Sequence, residues 1–215
     1  MLAMPLSRNQ IDAASKFWGN GSWDTKELVQ LKQVFPNPQD AVMLKAIVLN
    51  TLYGTNIIAI SKVAKRLEEL LNANHSTGPD LVEELVAEIR NVTKRRHYSF
   101  VAKFAHFFIN ADLPILDQYA EYMVAKHLGQ AQSQNPKRYL KFVEDIEKLT
   151  ELAGLTCNCA QLDAYLWIAG EYWCWKENPN LKVSGDLVGH FERFAENPEN
   201  ERTLGDLLGI GTSSA

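Results

Sequence analysis

The chain has 215 residues, of which 46% are hydrophobic and 22% charged, with a formal net charge of −4. Those proportions suit a soluble globular protein large enough for one single all-α domain spanning 1–215 or two small units. They exclude a fibrous or low-complexity chain, and the acidic balance excludes a global attraction for phosphate backbones. The N-terminus MLAMPLSRNQ turns polar too early for a signal peptide. No run reaches the roughly 18 apolar residues of a membrane span, so no membrane partner is expected and the cytoplasm is the expected location. Three cysteines (157, 159 and 174) fit no common zinc spacing and read as reduced thiols, with no metal and no cofactor expected.

Taken in order, residues 8–18 and 24–35 read as amphipathic helices separated by the Gly-Asn-Gly-Ser turn at 19–22. Asp24 stands at an N-cap position with Glu27 three residues on, a capping-box pattern. Asn37-Pro38-Gln39-Asp40 opens a third helix, with Pro38 in its first turn, running to about Tyr53. It is apolar nearly all round, which predicts a core helix with Lys45, Asn50 and Thr51 as exceptions. Gly54-Thr55-Asn56 breaks it, and an amphipathic helix follows to about Leu71. Asp80 is placed to cap a helix over Leu81–Val92, after which comes the basic run Lys94-Arg95-Arg96-His97.

The stretch from Tyr98 to Tyr122 is the one around which the chain is organised. At about 100° per residue, Ser99, Lys103, His106 and Asn110 fall on one narrow stripe. Phe100, Val101, Phe104, Ala105, Phe107, Phe108 and Ile109 fill the remaining circumference. A helix apolar over most of its girth sits inside a domain, so its polar stripe needs partners. A proline-containing turn then leads to Asp117, where a further helix opens and runs to Gly129. Gln130–Pro136 is a polar loop, the best sequence boundary between subdomains. Helices follow over 139–152, 162–175, 187–194 and 203–208. With no strand-like alternation, the fold class is all-α, about ten helices.

The chemistry that these residues could carry centres on Asp117 and Lys103. Asp117 has the position of an N-cap, which needs no further purpose. It also has the position of a carboxylate at the mouth of a cleft, able to activate water or stabilise an oxocarbenium-like transition state. Lys103 and His106, three apart, share one side of the helix. They are either solvated or structurally satisfied, or Lys103 is a desolvated amine able to act as a nucleophile. Lys94, Arg95 and Arg96 read as a solvated helix end or as a weak, salt-sensitive nucleic-acid contact. Trp167, Tyr172, Trp173 and Trp175 read as core or as a base-stacking surface.

Four segments form an ordered set: Asn50–Ile57 (NTLYGTNI), Tyr98–Phe104 (YSFVAKF), Leu113–Asp117 (LPILD) and Leu162–Trp167 (LDAYLW). The set resembles a family of uncharacterised bacterial proteins with the pattern LNxLYxTN, SFxSK, PIYDS and LDxxLW. That family in turn distantly resembles the helix-hairpin-helix DNA glycosylases of the 8-oxoguanine type. The resemblance, over about residues 40–170, implies a glycosylase-like helical architecture, as one body or as two packed helical subdomains, with Asp117 in the position of the essential aspartate. Asn50, Tyr53, Thr55, Ser99 and His106 are the candidate binding residues, with Lys94, Arg95 and Arg96 the basic run that would meet nucleic acid in place of a Gly-rich hairpin. Two departures stand out. Lys103 lies fourteen residues before Asp117, closer than the glycosylase lysine, and 92–101 contains no glycine where glycosylases carry a Gly-rich hairpin. The alternative is a non-catalytic interaction protein that keeps the fold and pairs the Ser99–Asn110 stripe internally with Asn50, Tyr53 or Thr55. Oligomeric state and substrate are not legible.

Overall fold

The computed structural model describes residues 1–19, 25–73, 76–131, 137–177, 185–197 and 200–209. Among them, regular structure is helical throughout, and the all-α class is what the structure has. The helices are α1 (Arg8–Gly19), α2 (Thr25–Val34), α3 (Val42–Leu52), α4 (Ile60–Ala73), α5 (Pro79–Thr93) and α6 (Tyr98–Phe104). A π-helical turn (Ala105–Ile109) follows, then α7 (Gln118–Leu128), α8 (Arg138–Ala153), α9 (Cys159–Glu177), α10 (Gly185–Ala195) and α11 (Glu201–Leu208). Asp24, the rest of the turn after Gly19, and residues 132–136 of the 130–136 loop lie outside the described residues.

Two compact units divide the chain. One comprises Met1–Ser22, Gln118–Ser133 and Glu144–Ala215; the other comprises Trp23–Asp117 and Gln134–Val143. The chain therefore passes from one unit to the other immediately after Asp117.

In the unit built on Trp23–Asp117, α3 packs on α4, α4 on α5, and α6 on both α3 and α5. Val63, Leu67, Leu85, Ile89, Phe100 and Phe104 are fully enclosed. α4 places its apolar side inward at helical period, as its sequence predicts. α3 departs from expectation. Residues 37–41 form a turn and the helix starts only at Val42, so Pro38 is not in its first turn. Ala41 sits in the left-handed region (φ 48°), and this resets the helix's phase. Met43, Leu44 and Ile47 are 42–44% exposed while Lys45 is wholly buried. The Lys45 ammonium reaches the Asn37 carbonyl at 2.6 Å and lies 5.3 Å from the Phe108 ring centre. Burial pulls its pKa down, against the opposing charge of Asp40. A segment apolar on every side gives no phase for periodicity to read, so it could not reveal which side faces in. α5 is capped two residues earlier than expected: Gly78 is the N-cap, Pro79 the first helical residue, and Asp80 lies inside the first turn.

In the unit containing Met1–Ser22, α9 is the central element, with α7 and α1 packed on it and α11 on α1. Gly170 makes the α7–α9 approach possible: a Cβ there would meet the Tyr119 carbonyl oxygen at 2.5 Å. Phe17 stacks on Phe191 at 4.7 Å and meets Phe194 at 4.9 Å. A buried polar relay holds the N-terminal segment. His127 Nδ1–H donates to the Met4 carbonyl at 2.9 Å, which leaves Nε2 to accept from the Tyr165 hydroxyl at 2.9 Å. Gln10 Nε2 in turn donates to that hydroxyl at 3.0 Å. Every donor in this relay meets an acceptor with a single consistent placement of protons.

Candidate functional site

Within the Trp23–Asp117 unit, α6 carries Ser99 and Lys103 one turn apart, so both project from the same side. Phe100, Val101, Phe104 and Ala105 are buried around them, and Lys103 itself is buried. The helix is therefore enclosed on its polar stripe as well as its apolar face. Lys103 Nζ donates to Asp117 Oδ2 at 3.0 Å and to Ser99 Oγ at 2.9 Å. It also lies 5.2 Å from the centre of the Tyr53 ring, within range of a cation–π attraction. The two charged side chains are only 7% and 10% exposed. Sequence reasoning flagged both residues, and the fold brings them together across fourteen residues.

What closes that distance is an irregular segment. After Phe104 the helix widens into a π turn, ending with Asn110 N–H bonded to the Ala105 carbonyl at 2.9 Å. The extra residue per turn reorients the chain, and such turns recur at functional sites. Asn110 then organises the reversal: its Oδ1 accepts from Asp112 N–H at 2.9 Å and its Nδ2 donates to the Thr77 carbonyl at 3.2 Å. His106, buried, donates from Nδ1 to the Leu113 carbonyl at 2.9 Å. Burial drives its imidazole below the usual range, only partly offset by that bond. The chain leaves the turn in an irregular segment through Pro114 and reaches Asp117 one residue before α7 begins.

The remaining residues singled out in the sequence fall into two groups. Tyr53 lies at the centre, beneath the Lys103 ammonium and 6.0 Å from the Phe107 ring. Asn50 and Thr55 are bonded to each other: Thr55 Oγ1 donates to Asn50 Oδ1 at 2.6 Å, and Ile57 N–H donates to the same oxygen at 2.9 Å. They close the break after α3, where Gly54 and Asn56 both have positive φ. Lys94, Arg95 and Arg96 are exposed in the connection between α5 and α6. Lys94 takes the left-handed conformation (φ 63°) that ends α5, a position which glycine more commonly fills. His97 follows, its pKa lowered by burial and by Arg95.

Three residues that the sequence did not single out as site residues serve the same region. Tyr139, in the first turn of α8, donates its hydroxyl to the Pro114 carbonyl at 2.9 Å and is fully buried. Glu83 accepts from Tyr139 N–H at 2.7 Å and from the Tyr98 hydroxyl at 2.9 Å. Lys45 is the third. A buried phenol needs a hydrogen-bond partner, which is the signal Tyr139 offered once its burial was known.

In the other unit, Trp167, Tyr172, Trp173 and Trp175 are half-buried on α9 and pack on neighbouring rings, Trp167 on Trp18 at 5.6 Å and Tyr172 on Phe191 at 5.2 Å. Lys176 lies 3.7 Å from the Trp175 ring centre and Lys126 4.3 Å from that of Trp173. The three cysteines are free thiols; Cys174 is buried and the other two half-buried. No described helix is long and apolar enough to cross a membrane.

Compared with known proteins, the chain is similar over residues 12–113 to the family HI_0787_N, described as an N-terminal domain. That span is just under half the chain and includes Asn50, Tyr53, Thr55, Ser99, Lys103 and His106. Asp117 and Leu162–Trp167 lie beyond it. No curated protein and no solved structure matches.

Proposed function

We propose that the Lys103–Asp117 centre is a functional site for a nucleobase-containing ligand, and that its chemistry is hydrolysis of an N-glycosidic bond. The observation that carries this is the buried ion pair itself. Taking an ammonium and a carboxylate out of water is expensive, and apolar residues of similar volume would serve stability as well or better. A pair kept at 3.0 Å beside a π turn is therefore better accounted for by chemistry than by stability.

The roles follow from the contacts. Asp117 supplies negative charge to face a sugar cation as the base departs with the bonding electron pair. Water then adds its oxygen to the anomeric carbon, and the proton it releases balances the one gained by the departing base. Lys103 donates to two oxygen acceptors and lies against a ring face, so its nitrogen is held by these contacts and is not presented to a sugar carbon as a nucleophile. Its task is to orient the carboxylate and compensate its charge. Lys94, Arg95 and Arg96, exposed together, provide the positive charge for a phosphate backbone if the ligand is nucleic acid.

The test is binding and base release at low and moderate salt, using duplexes with and without oxidised guanine, single strands and free nucleosides, with borohydride present in parallel. Base release without a trapped adduct, abolished in Asp117→Asn, is expected. Failure of every probe to bind or react overturns the proposal. A second account, a non-catalytic interaction or structural protein, is favoured by one specific observation. Lys103, His106 and Asn110 each bond to a group of their own unit, and Ser99 accepts from Lys103, so the stripe is accounted for without a ligand.

A further inference from the structure

The segment leading to Asp117 has an unusual difficulty. Leu113, Pro114 and Leu116 are buried, yet this segment belongs to no helix or strand, so its carbonyls have no ladder to join. Buried carbonyls without partners are costly. Two consecutive ones are each met by a single side-chain donor. His106 Nδ1 serves Leu113 at 2.9 Å, and the Tyr139 hydroxyl serves Pro114 at 2.9 Å. His106 belongs to the π turn and is tied to the lysine's own helix. Tyr139 comes from elsewhere in the sequence, and its placement is fixed independently.

That fixing is done by Glu83 on α5. One of its oxygens accepts the N–H groups of Tyr139 and Leu140, at 2.7 and 3.3 Å, where α8 begins. Its other oxygen accepts the hydroxyl of Tyr98, the first residue of α6. One carboxylate thus meets the start of the helix that carries Lys103 and the start of the helix whose tyrosine holds the segment before Asp117. Both halves of the ion pair are referenced to the same atom group.

We infer that Tyr139, seated by Glu83, is a positioning residue of the Lys103–Asp117 centre: it fixes the Pro114 carbonyl and so the approach of the Asp117 carboxylate to the Lys103 ammonium. It acts through the Pro114 carbonyl. The inference rests on the functional reading of that centre, and its own readout does not depend on catalysis.

The experiment uses the full chain with ¹⁵N-labelled lysine and follows the Lys103 ammonium by nuclear magnetic resonance. A buried, ion-paired ammonium exchanges its protons slowly enough to be seen. Tyr139→Phe removes only the hydroxyl and is expected to broaden or shift that signal; Tyr122→Phe, whose hydroxyl bonds Glu177 in the other unit, is the control and leaves it sharp. If base release is measurable, Tyr139→Phe lowers kcat by roughly tenfold to a hundredfold, the effect of about an ångström of misplacement, with ligand Kd unchanged. An unaltered ammonium signal in folded Tyr139→Phe overturns the inference. If that variant does not fold, Glu83→Gln, which keeps the hydroxyl but weakens its seat, is read by the same signal with the same expectation. Absence of base release in the wild-type protein counts against the proposed hydrolysis alone, since the ammonium signal still decides whether Tyr139 positions the pair.

Discussion

Breaking the Lys103–Asp117 pair tests whether the two charges are as enclosed in solution as their contacts imply. At 3.0 Å and an effective dielectric of about 20, the attraction is about 5 kcal/mol, set against the desolvation of both ions. Lys103→Met deletes the ammonium but keeps most of the side chain's volume. It leaves Asp117 with a carboxylate oxygen that had been served at 3.0 Å, in a side chain only 10% exposed. Removing one member of such a pair costs about 3–5 kcal/mol. Asp117→Asn removes the opposite charge and strands the ammonium on Ser99 and the Tyr53 ring, at a similar loss. The double variant replaces two charges with no unpaired ion, so its loss is expected to fall short of the sum by about 2–3 kcal/mol. Urea denaturation followed by tryptophan fluorescence and by circular dichroism measures all four corners of the cycle, with unchanged m-values as the check that compactness is preserved. Single losses below about 1 kcal/mol with no coupling are the signature of a solvated surface pair, and would refute the enclosed geometry together with the proposal built on it.

Gly170→Ala is expected to destabilise by about 1–3 kcal/mol through overpacking, because its Cβ would meet Tyr119 backbone atoms at 2.5 and 2.8 Å, although alanine is the better helix former. Gly154→Ala, with nothing near but a φ of +62°, carries only the backbone penalty of roughly 1–2 kcal/mol; thermal unfolding ranks the two. Asn50→Ala leaves Thr55 Oγ1 and Ile57 N–H without their shared acceptor and is expected to lose about 1–3 kcal/mol in the same assay. For His127, burial lowers the folded pKa below the ordinary imidazole value of 6.5, against the bond to Met4. The unfolded chain therefore takes up the proton first as pH falls, and the stabilising contribution is present above about pH 6.5 and lost as pH drops through the folded pKa. Urea midpoints should fall on acidification less steeply in His127→Gln than in the wild type. His97, His106 and His190 share the same direction, so the variant removes one share of the slope.

Where helices are amphipathic, the sequence was enough. α4 alternates its apolar residues at helical period and buries Val63, Leu67 and Leu71 as that period requires. α3 was misjudged because uniform apolarity specifies no inward face. The phase was set by a left-handed residue at Ala41, which alanine gives no reason to expect. The cap of α5 shifted from Asp80 to Gly78 because Pro79 already fits the first helical position, which needs no N–H partner.

The candidate site shows the same limit more sharply. Ser99 and Lys103 could be placed on one side of a helix from spacing alone, and Asp117 at the start of another. Their meeting could not, because it depends on a π turn whose phase differs from the 3.6-residue repeat assumed in reading the stripe. That same turn is why His106, three residues after Lys103, serves the Leu113 carbonyl and not the ion pair. Tyr139 and Glu83 lay beyond reach for another reason. Glu83 is fifty-six residues from Tyr139, and Tyr139 is twenty-five from Pro114. Such spacings follow no local period; only the burial of polar groups that must each find a partner brings them together. The centre is thus a local motif, one turn of α6, completed by long-range contacts that fix where its carboxylate arrives. Its properties should respond to changes at Tyr139 and Glu83 as well as at Lys103.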